Sequence, residues 1–266
     1  MKKTNSAQYT IFVLVLFTII VPFIPLILWS LSEQWFYPAA LPQKFGLRAW
    51  NYIFSTAGEQ IIRGLVASFS VALTTSILSL FIGYPAGRAL GLYNFKGKKF
   101  IALLLLLPIV VPPLSTSMGL HLWFLHLNLT EHFLGVVLVH LTFCLPYSIY
   151  VISGVFSDFN PDFEAQARSL GATSWQVFVR VTLPMTLPGV TVAALFAFLL
   201  SWSQYLSTLI IGGGKILTLP ILLFSLMDGG DRPVASAISL IFICPVFVVL
   251  AASAQSLGRQ GLRGIR

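Results

Sequence analysis

Charge is what this chain has least of. Charged residues occupy 9% of its 266 positions, against about 25% in soluble domains. No Asp, Glu, Lys or Arg falls near the middle of a long apolar run. An ordinary soluble surface is therefore excluded. A proton- or sodium-coupled carrier is disfavoured too, because such carriers hold the coupling ion with an ionisable side chain at membrane depth. Cysteine is equally scarce. Cys144 and Cys244 both lie inside apolar runs, where cysteine packs as a small hydrophobe, so neither a disulfide framework nor a zinc site is expected. The runs also lack a metal-ligand set, a nucleophile–base pair or a carboxylate pair, which argues against a membrane-embedded enzyme. No internal repeat of the solenoid or propeller kind is evident.

What the chain has in abundance is hydrocarbon, with 57% hydrophobic residues. A bilayer core of about 30 Å is crossed by about 20 mostly apolar residues in a helix. Six runs meet that length, at 9–31, 64–90, 100–120, 135–156, 185–211 and 234–257. The sequence therefore predicts an all-α membrane protein with six spans in one domain covering residues 1–266. The first run is longer than a removable leader and lacks a small-residue cleavage site, so it is expected to be retained as a span.

The basic residues give the orientation. Lys2, Lys3, Arg88, Lys96, Lys98, Lys99, Arg168, Arg180, Arg259, Arg263 and Arg266 fall on one side if the spans alternate. Only Lys44, Arg48, Arg63, Lys215 and Arg232 fall on the other. The positive-inside rule then places both termini and the connection 157–184 on the cytoplasmic side of the membrane. Topology and contact with anionic lipid account for the basic excess, and no nucleic-acid partner is expected.

The connection 157–184 is the most informative stretch. Asn160 suits an N-cap and Pro161 the first helical position. Asp162 and Glu164 complement the helix dipole. Gly171 offers the left-handed conformation that stops the helix near Leu170. Thr173 and Gln176 have capping-box spacing for a second helix, which Pro184 is expected to end. Ala165 and Ala167 keep the first helix slim. Leu170, Trp175 and Phe178 supply apolar anchors.

Glu164 through Pro184, reading EAQARSLGATSWQVFVRVTLP, resembles the coupling loop of binding-protein-dependent type I ABC importer permeases of the polyamine, thiamine and ferric group. That pattern is Glu-Ala-Ala, three residues, Gly, about nine residues, then an aliphatic residue and Leu-Pro. The resemblance implies the six-helix permease fold with a cytoplasmic coupling helix. It also implies that Glu164, Ala165, Ala167, Leu170, Gly171, Phe178, Leu183 and Pro184 dock on an ATPase. One departure stands out. Ala165 occupies the family's glutamate position, and Glu164 lies one residue earlier, rotated by about 100°. The expectation is that Glu164 still reaches a cation on the partner.

A second resemblance lies at Ser201-Trp202-Ser203-Gln204-Tyr205, followed by Gly212–Gly214 and Thr218-Leu219-Pro220. It is similar to the solute-proximal segment of the same permeases and implies a pathway past Ser201, Ser203, Gln204, Tyr205, Thr218 and Pro220. A Gly-rich turn at membrane depth fits a re-entrant segment or short helix lining a cavity. Several relatives carry an acidic residue where this chain has Gln204, which disfavours a strongly cationic solute. Trp50-Asn51-Tyr52, Leu107-Pro108, Leu145-Pro146-Tyr147 and Gly229-Gly230-Asp231 also look familial.

The function so implied is a non-catalytic permease subunit of a bacterial cytoplasmic (inner) membrane. Its partners would be ATPase subunits that bind ATP and Mg, a second permease (a different chain or a second copy), a soluble binding protein and the lipid bilayer. The solute would be small and hydrophilic: polyamine-, thiamine-, ferric-, phosphonate- or oxyanion-like. The alternative is an ATP-independent carrier or channel. Gly83, Gly87 and Gly91 recur at the small-residue spacing of close helix packing, within the chain or to a second permease. His121, His126 and His132, with Glu131 among them, read as an exposed outer loop without a metal. His140 reads as a hydrogen-bonded residue of the bundle.

Overall fold

The computed structural model describes residues 6–263; Lys2, Lys3 and Arg266, counted in the charge balance, lie outside them. The described residues hold five helices long and apolar enough to cross a membrane. They make six crossings if one pair of helices meeting at 101° counts as a single span.

The chain packs as two units, one running up to Arg63 and resuming over Leu222–Pro245, the other covering Gly64–Ile221 and the stretch from Val246 onward. In the first unit, α1 (Ser6–Ile20) and α2 (Phe23–Ser30) make up the first apolar run. Their break falls at Val21–Pro22, where the proline fixes its own φ and removes a donor. Large side chains such as Phe12, Leu14 and Phe17 are exposed, as befits a helix that faces lipid. A short antiparallel pair, β1 (Ser32–Gln34) and β2 (Lys44–Phe45), leads into α3 (Arg48–Phe54). Arg48 grips both carboxylate oxygens of Asp231, at 3.1 and 2.6 Å. That hydrogen bonding raises the Arg48 pKa against the opposing effect of burial. The Asp231 carboxylate also accepts from the Val234 backbone amide at 3.3 Å.

Helix α4 (Gly58–Leu92) carries the chain into the second unit. There follow α5 (Lys98–Val110), α6 (Pro113–His126), α7 (Phe133–Ser157), α8 (Asp162–Ser169) and α9 (Ser174–Val177). A π turn at Phe178–Thr182 joins α9 to α10 (Leu183–Trp202). The chain continues through α11 (Leu206–Gly212), α12 (Leu219–Asp228) and α13 (Arg232–Arg263). Two apolar clusters centre the second unit. One gathers Val71, Phe124, Val136, Val139 and Ile211; the other gathers Ile152, Phe156, Phe159 and Ala193.

The glycine stripe packs within the chain. A Cβ at Gly83, Gly87 or Gly91 would lie 3.2, 2.8 and 2.5 Å from the Cβ atoms of Ser148, Ile152 and Phe156. Two rows spaced by four residues therefore run face to face, α4 against α7, at a separation that is tight at Gly83 and that only glycine allows at Gly87 and Gly91.

Three expected boundaries move. The third run is not one straight helix, because Val111 and Pro112 are both extended, with ψ of 135° and 131°. Each precedes a proline, and a residue before proline is pushed out of the helical region. The fifth run ends at Trp202, and 206–212 forms the separate α11. Pro184 does not end the second helix of the connection. It sits in the first turn of α10, just past the π turn. A widened turn relaxes the hydrogen-bond ladder where the proline has no N–H to give. The histidine segment changes as well, since His121 and His126 lie on α6 and not in a loop.

Candidate functional site

In the connection between α7 and α10 the local turn chemistry forms as its sequence predicts. The Asp162 amide donates to Asn160 Oδ1 at 2.9 Å, a capping contact at the start of α8. Gly171 closes α8 at φ +84°, donating to Arg168 O at 2.9 Å while Ala172 donates to Ala167 O at 3.1 Å. That pair of bonds is a Schellman motif. The capping box also forms, with Thr173 N to Gln176 Oε1 at 2.8 Å and Gln176 N to Thr173 Oγ1 at 3.3 Å. The turn between α8 and α9 is thus fixed by four hydrogen bonds of its own, and a side chain at Gly171 would strain it.

The turn presents two bare apolar side chains. Leu170 is 89% exposed and Trp175 71%. Phe163 adds a third, partly exposed one that the sequence did not single out. Ala165 is exposed and Ala167 half-buried. Phe178 is a correction, because it turns inward and meets the Tyr84 ring edge-on, with centroids 5.7 Å apart. Leu183 is half-buried and Pro184 exposed.

Glu164 is the larger correction. Its rotation on α8 buries the carboxylate, at 5% exposure, where the expectation had it reaching outward. Arg88 Nη2 of α4 donates to Oε2 at 2.8 Å, and Thr182 Oγ1 donates to Oε1 at 2.6 Å. Arg168 Nη2 lies 3.5 Å from Oε2. Burial alone would raise the pKa of Glu164, but the hydrogen bonds from Thr182 and Arg88, with the charges of Arg88 and Arg168, hold it below the usual carboxylate range. Arg88 also stands over the Phe156 ring at 5.6 Å. Tyr84 is hydrogen-bonded to Thr186 at 3.0 Å and meets Phe156 edge-on. Sequence reasoning used Arg88 only as a topological charge and missed Thr182 and Tyr84. The available signal was a lone arginine in the last turns of an apolar run.

The polar segment at the far end of α10 is more interior than its sequence implied. Ser201 is buried and hydrogen-bonded to His140 Nδ1 at 2.8 Å, and Thr208 bonds His140 Nε2 at 2.8 Å. His140 is thus bonded within the bundle, as expected. Thr218 and Pro220 are buried as well, and the Leu219 amide opens α12 by donating to Ser68 Oγ at 2.8 Å. Ser201, Thr218 and Pro220 therefore belong to the packed interior. Ser203 is exposed, while Gln204 and Tyr205 are half-buried. Both amide atoms of Gln204 are buried, with the Cys144 thiol, a weak hydrogen-bonding group, beside them. Gly213 and Gly214 take φ of +53° and +81°, and beside them Glu131 pairs with Lys215. That hydrogen bond and charge hold the Glu131 pKa below its ordinary value. Among the described residues, no group of three or more His, Cys, Asp or Glu gathers to hold a metal ion.

Residues 83–259 match the family described as binding-protein-dependent transport system inner membrane component. The chain belongs to that family. It is a permease subunit of a binding-protein-dependent ABC importer and a multi-pass membrane protein. Over 198 residues it is 26% identical to the spermidine/putrescine transport system permease protein PotC of Haemophilus influenzae, covering 73% of this chain and 76% of that one. It is 27% identical over 234 residues to the putative 2-aminoethylphosphonate transport system permease protein PhnV of Salmonella typhimurium, covering 86% and 85%. Among solved structures, it resembles a bacterial ABC transporter involved in import of the acidic polysaccharide alginate. The TM-score there is 0.72 at 15% identity, over 94% of both chains. The MetNI methionine ABC transporter, in an inward-facing form, matches with a TM-score of 0.60 at 15% identity, over 77% of this chain and 98% of that one. These likenesses bear out the type I permease fold.

Proposed function

We propose that this permease takes its driving force through the turn between α8 and α9, which docks on ATPase subunits that bind ATP and Mg. Hydrolysis belongs to those partners, and this chain is non-catalytic. The observation that carries the reading is the exposure of Leu170 and Trp175 on a turn otherwise fully hydrogen-bonded. Large apolar anchors on a rigid element are the residues that carry interface energy. The termini and residues 157–184 lie in the cytoplasm, which the basic residues of that side support. A second permease, identical or different, completes a pathway for a small hydrophilic solute handed over by a soluble binding protein. The solute is of the polyamine-, thiamine-, ferric- or phosphonate-like kind, and it passes Ser203, Gln204 and Tyr205.

The test is co-purification of the ATPase with the double variant Leu170→Ala/Trp175→Ala. Loss of two anchors costs on the order of 2 kcal/mol or more each at an interface, so the ATPase should be lost during washing. Full retention would sink the docking assignment. Labelling of Ser174→Cys by an impermeant reagent from outside intact cells would sink the orientation.

A further inference from the structure

Helix α8 has little holding it to the rest of its unit. Asp162, Phe163, Ala165, Gln166, Arg168 and Ser169 are exposed, and Ala167 is half-buried. Glu164 is the exception, and its two carboxylate oxygens go to two different elements. One oxygen takes Arg88, in the last turns of α4; the other takes Thr182, at the end of the π turn. The π turn runs without a break into α10. A displacement of α8 is therefore felt at once by two long apolar helices. Charge-assisted bonds to a buried carboxylate are short and directional, so they fix the position of α8 against both elements.

We infer that Glu164, with Arg88 and Thr182, is the joint that makes the α8–α9 turn move as one body with α4 and α10. It is a positioning residue: it touches neither nucleotide nor solute. The inference rests on the docking role proposed above but assigns Glu164 a different task from Leu170 and Trp175. Those two hold the partner, whereas Glu164 passes the partner's motion on. A purely structural ion pair would affect the amount of protein and its stability, but not the response of one end of α10 to events at the other.

The experiment needs no knowledge of the solute. In the complete complex, on a background lacking Cys144 and Cys244, Ser203→Cys reports at the far end of α10. Its labelling rate by an impermeant thiol reagent is compared between nucleotide-free complex and complex trapped with ATP, Mg and vanadate. With Glu164 intact, the two rates should differ. With Glu164→Gln, the ATPase should still co-purify and hydrolyse ATP, while the nucleotide-dependent difference should shrink by on the order of tenfold, the usual size of site-to-site coupling. The exchanged pair Arg88→Glu/Glu164→Arg should restore part of it. Thr182→Val, which spares the ion pair, should give a smaller loss and serves if the Glu164→Gln chain itself does not accumulate folded in the membrane. An unchanged rate difference in either single variant overturns the joint. Loss of the ATPase from Glu164→Gln also overturns it, since Glu164 would then be a docking contact. Retention of the ATPase by Leu170→Ala/Trp175→Ala would instead overturn the docking role while leaving the Glu164 measurement readable.

Discussion

The loop-side end of the second unit and its interior are held by different chemistry. At the loop side, a carboxylate with 6% side-chain exposure meets an arginine at 2.8 Å and a hydroxyl at 2.6 Å. In the interior, His140, Ser201 and Thr208 form a neutral chain with both bonds at 2.8 Å. Elsewhere in the same unit, Thr75, Ser79, Ser148 and Thr218 keep buried hydroxyls with no partner among the described residues. The difference follows from the solvent. A charge near the edge of the apolar spans can be desolvated and repaired by one good partner, whereas at membrane depth neutral groups are what a helix bundle tolerates. Neutral interhelical bonds in membranes contribute only about 0.6 kcal/mol each on average. The interior can afford loose ends that the loop side cannot.

The largest effect should come from removing the charge partner. Arg88→Ala strands the Glu164 carboxylate with Arg168 at 3.5 Å as its remaining cation. Stranding one member of a buried pair costs about 3–5 kcal/mol, and the exposed Arg168 should keep the value near the lower end. Thermal unfolding of the purified protein in detergent measures it. Replacing both partners with apolar residues, as in Arg88→Met/Glu164→Leu, should cost far less. By the inference above, that double variant should nevertheless stay uncoupled. Stability and coupling would then separate in one protein. A stable and fully coupled double variant would show that the charged end is ordinary packing.

The interior should respond more gently. His140→Leu removes two hydrogen bonds, but Thr208 keeps its bond to Gln204 O at 2.9 Å. The expected loss is about 1–2 kcal/mol, the range for a few neutral bonds with their desolvation, read by the same unfolding measurement. A loss as large as that of Arg88→Ala would erase the contrast between the two regions.

What the sequence disclosed, and what it concealed, follows the same division. Local chemistry was legible. Asn160, Gly171 and the Thr173–Gln176 pair act within a few residues of themselves, and each does what its type dictates. The apolar runs were legible because hydropathy integrates over about 20 residues. Direction was not. Nothing local says that Glu164 points inward, because its partner Arg88 lies 76 residues earlier in the chain. Hydropathy also passed smoothly over Pro112–Pro113, where the helix breaks, and over Ser203–Tyr205, where α10 stops. Pro184 shows the converse. A proline that reads as a stop is absorbed when the preceding turn widens, and sequence alone does not distinguish the two outcomes.

The smallest stability effect, and the sharpest test of the interior, belongs to Gln204. Its amide is buried with only the Cys144 thiol, a weak partner, beside it among the described residues, so it bears a desolvation cost that this contact offsets little. Gln204→Leu should therefore unfold within about 0.5 kcal/mol of the parent, because exchanging a weakly paired buried polar group for an apolar one is close to neutral. If Gln204 and its exposed neighbour Ser203 line the route of the solute, then Gln204→Leu should slow transport. The solute affinity of the soluble binding protein should stay unchanged, and co-purification should show the complex intact. Weak neutral contacts suit that task, since a pathway must let its cargo leave. An assembled Gln204→Leu complex that transports at the parent rate would return Gln204 to the packed interior alongside Ser201, Thr218 and Pro220. The passage would then have to run along another face of α10.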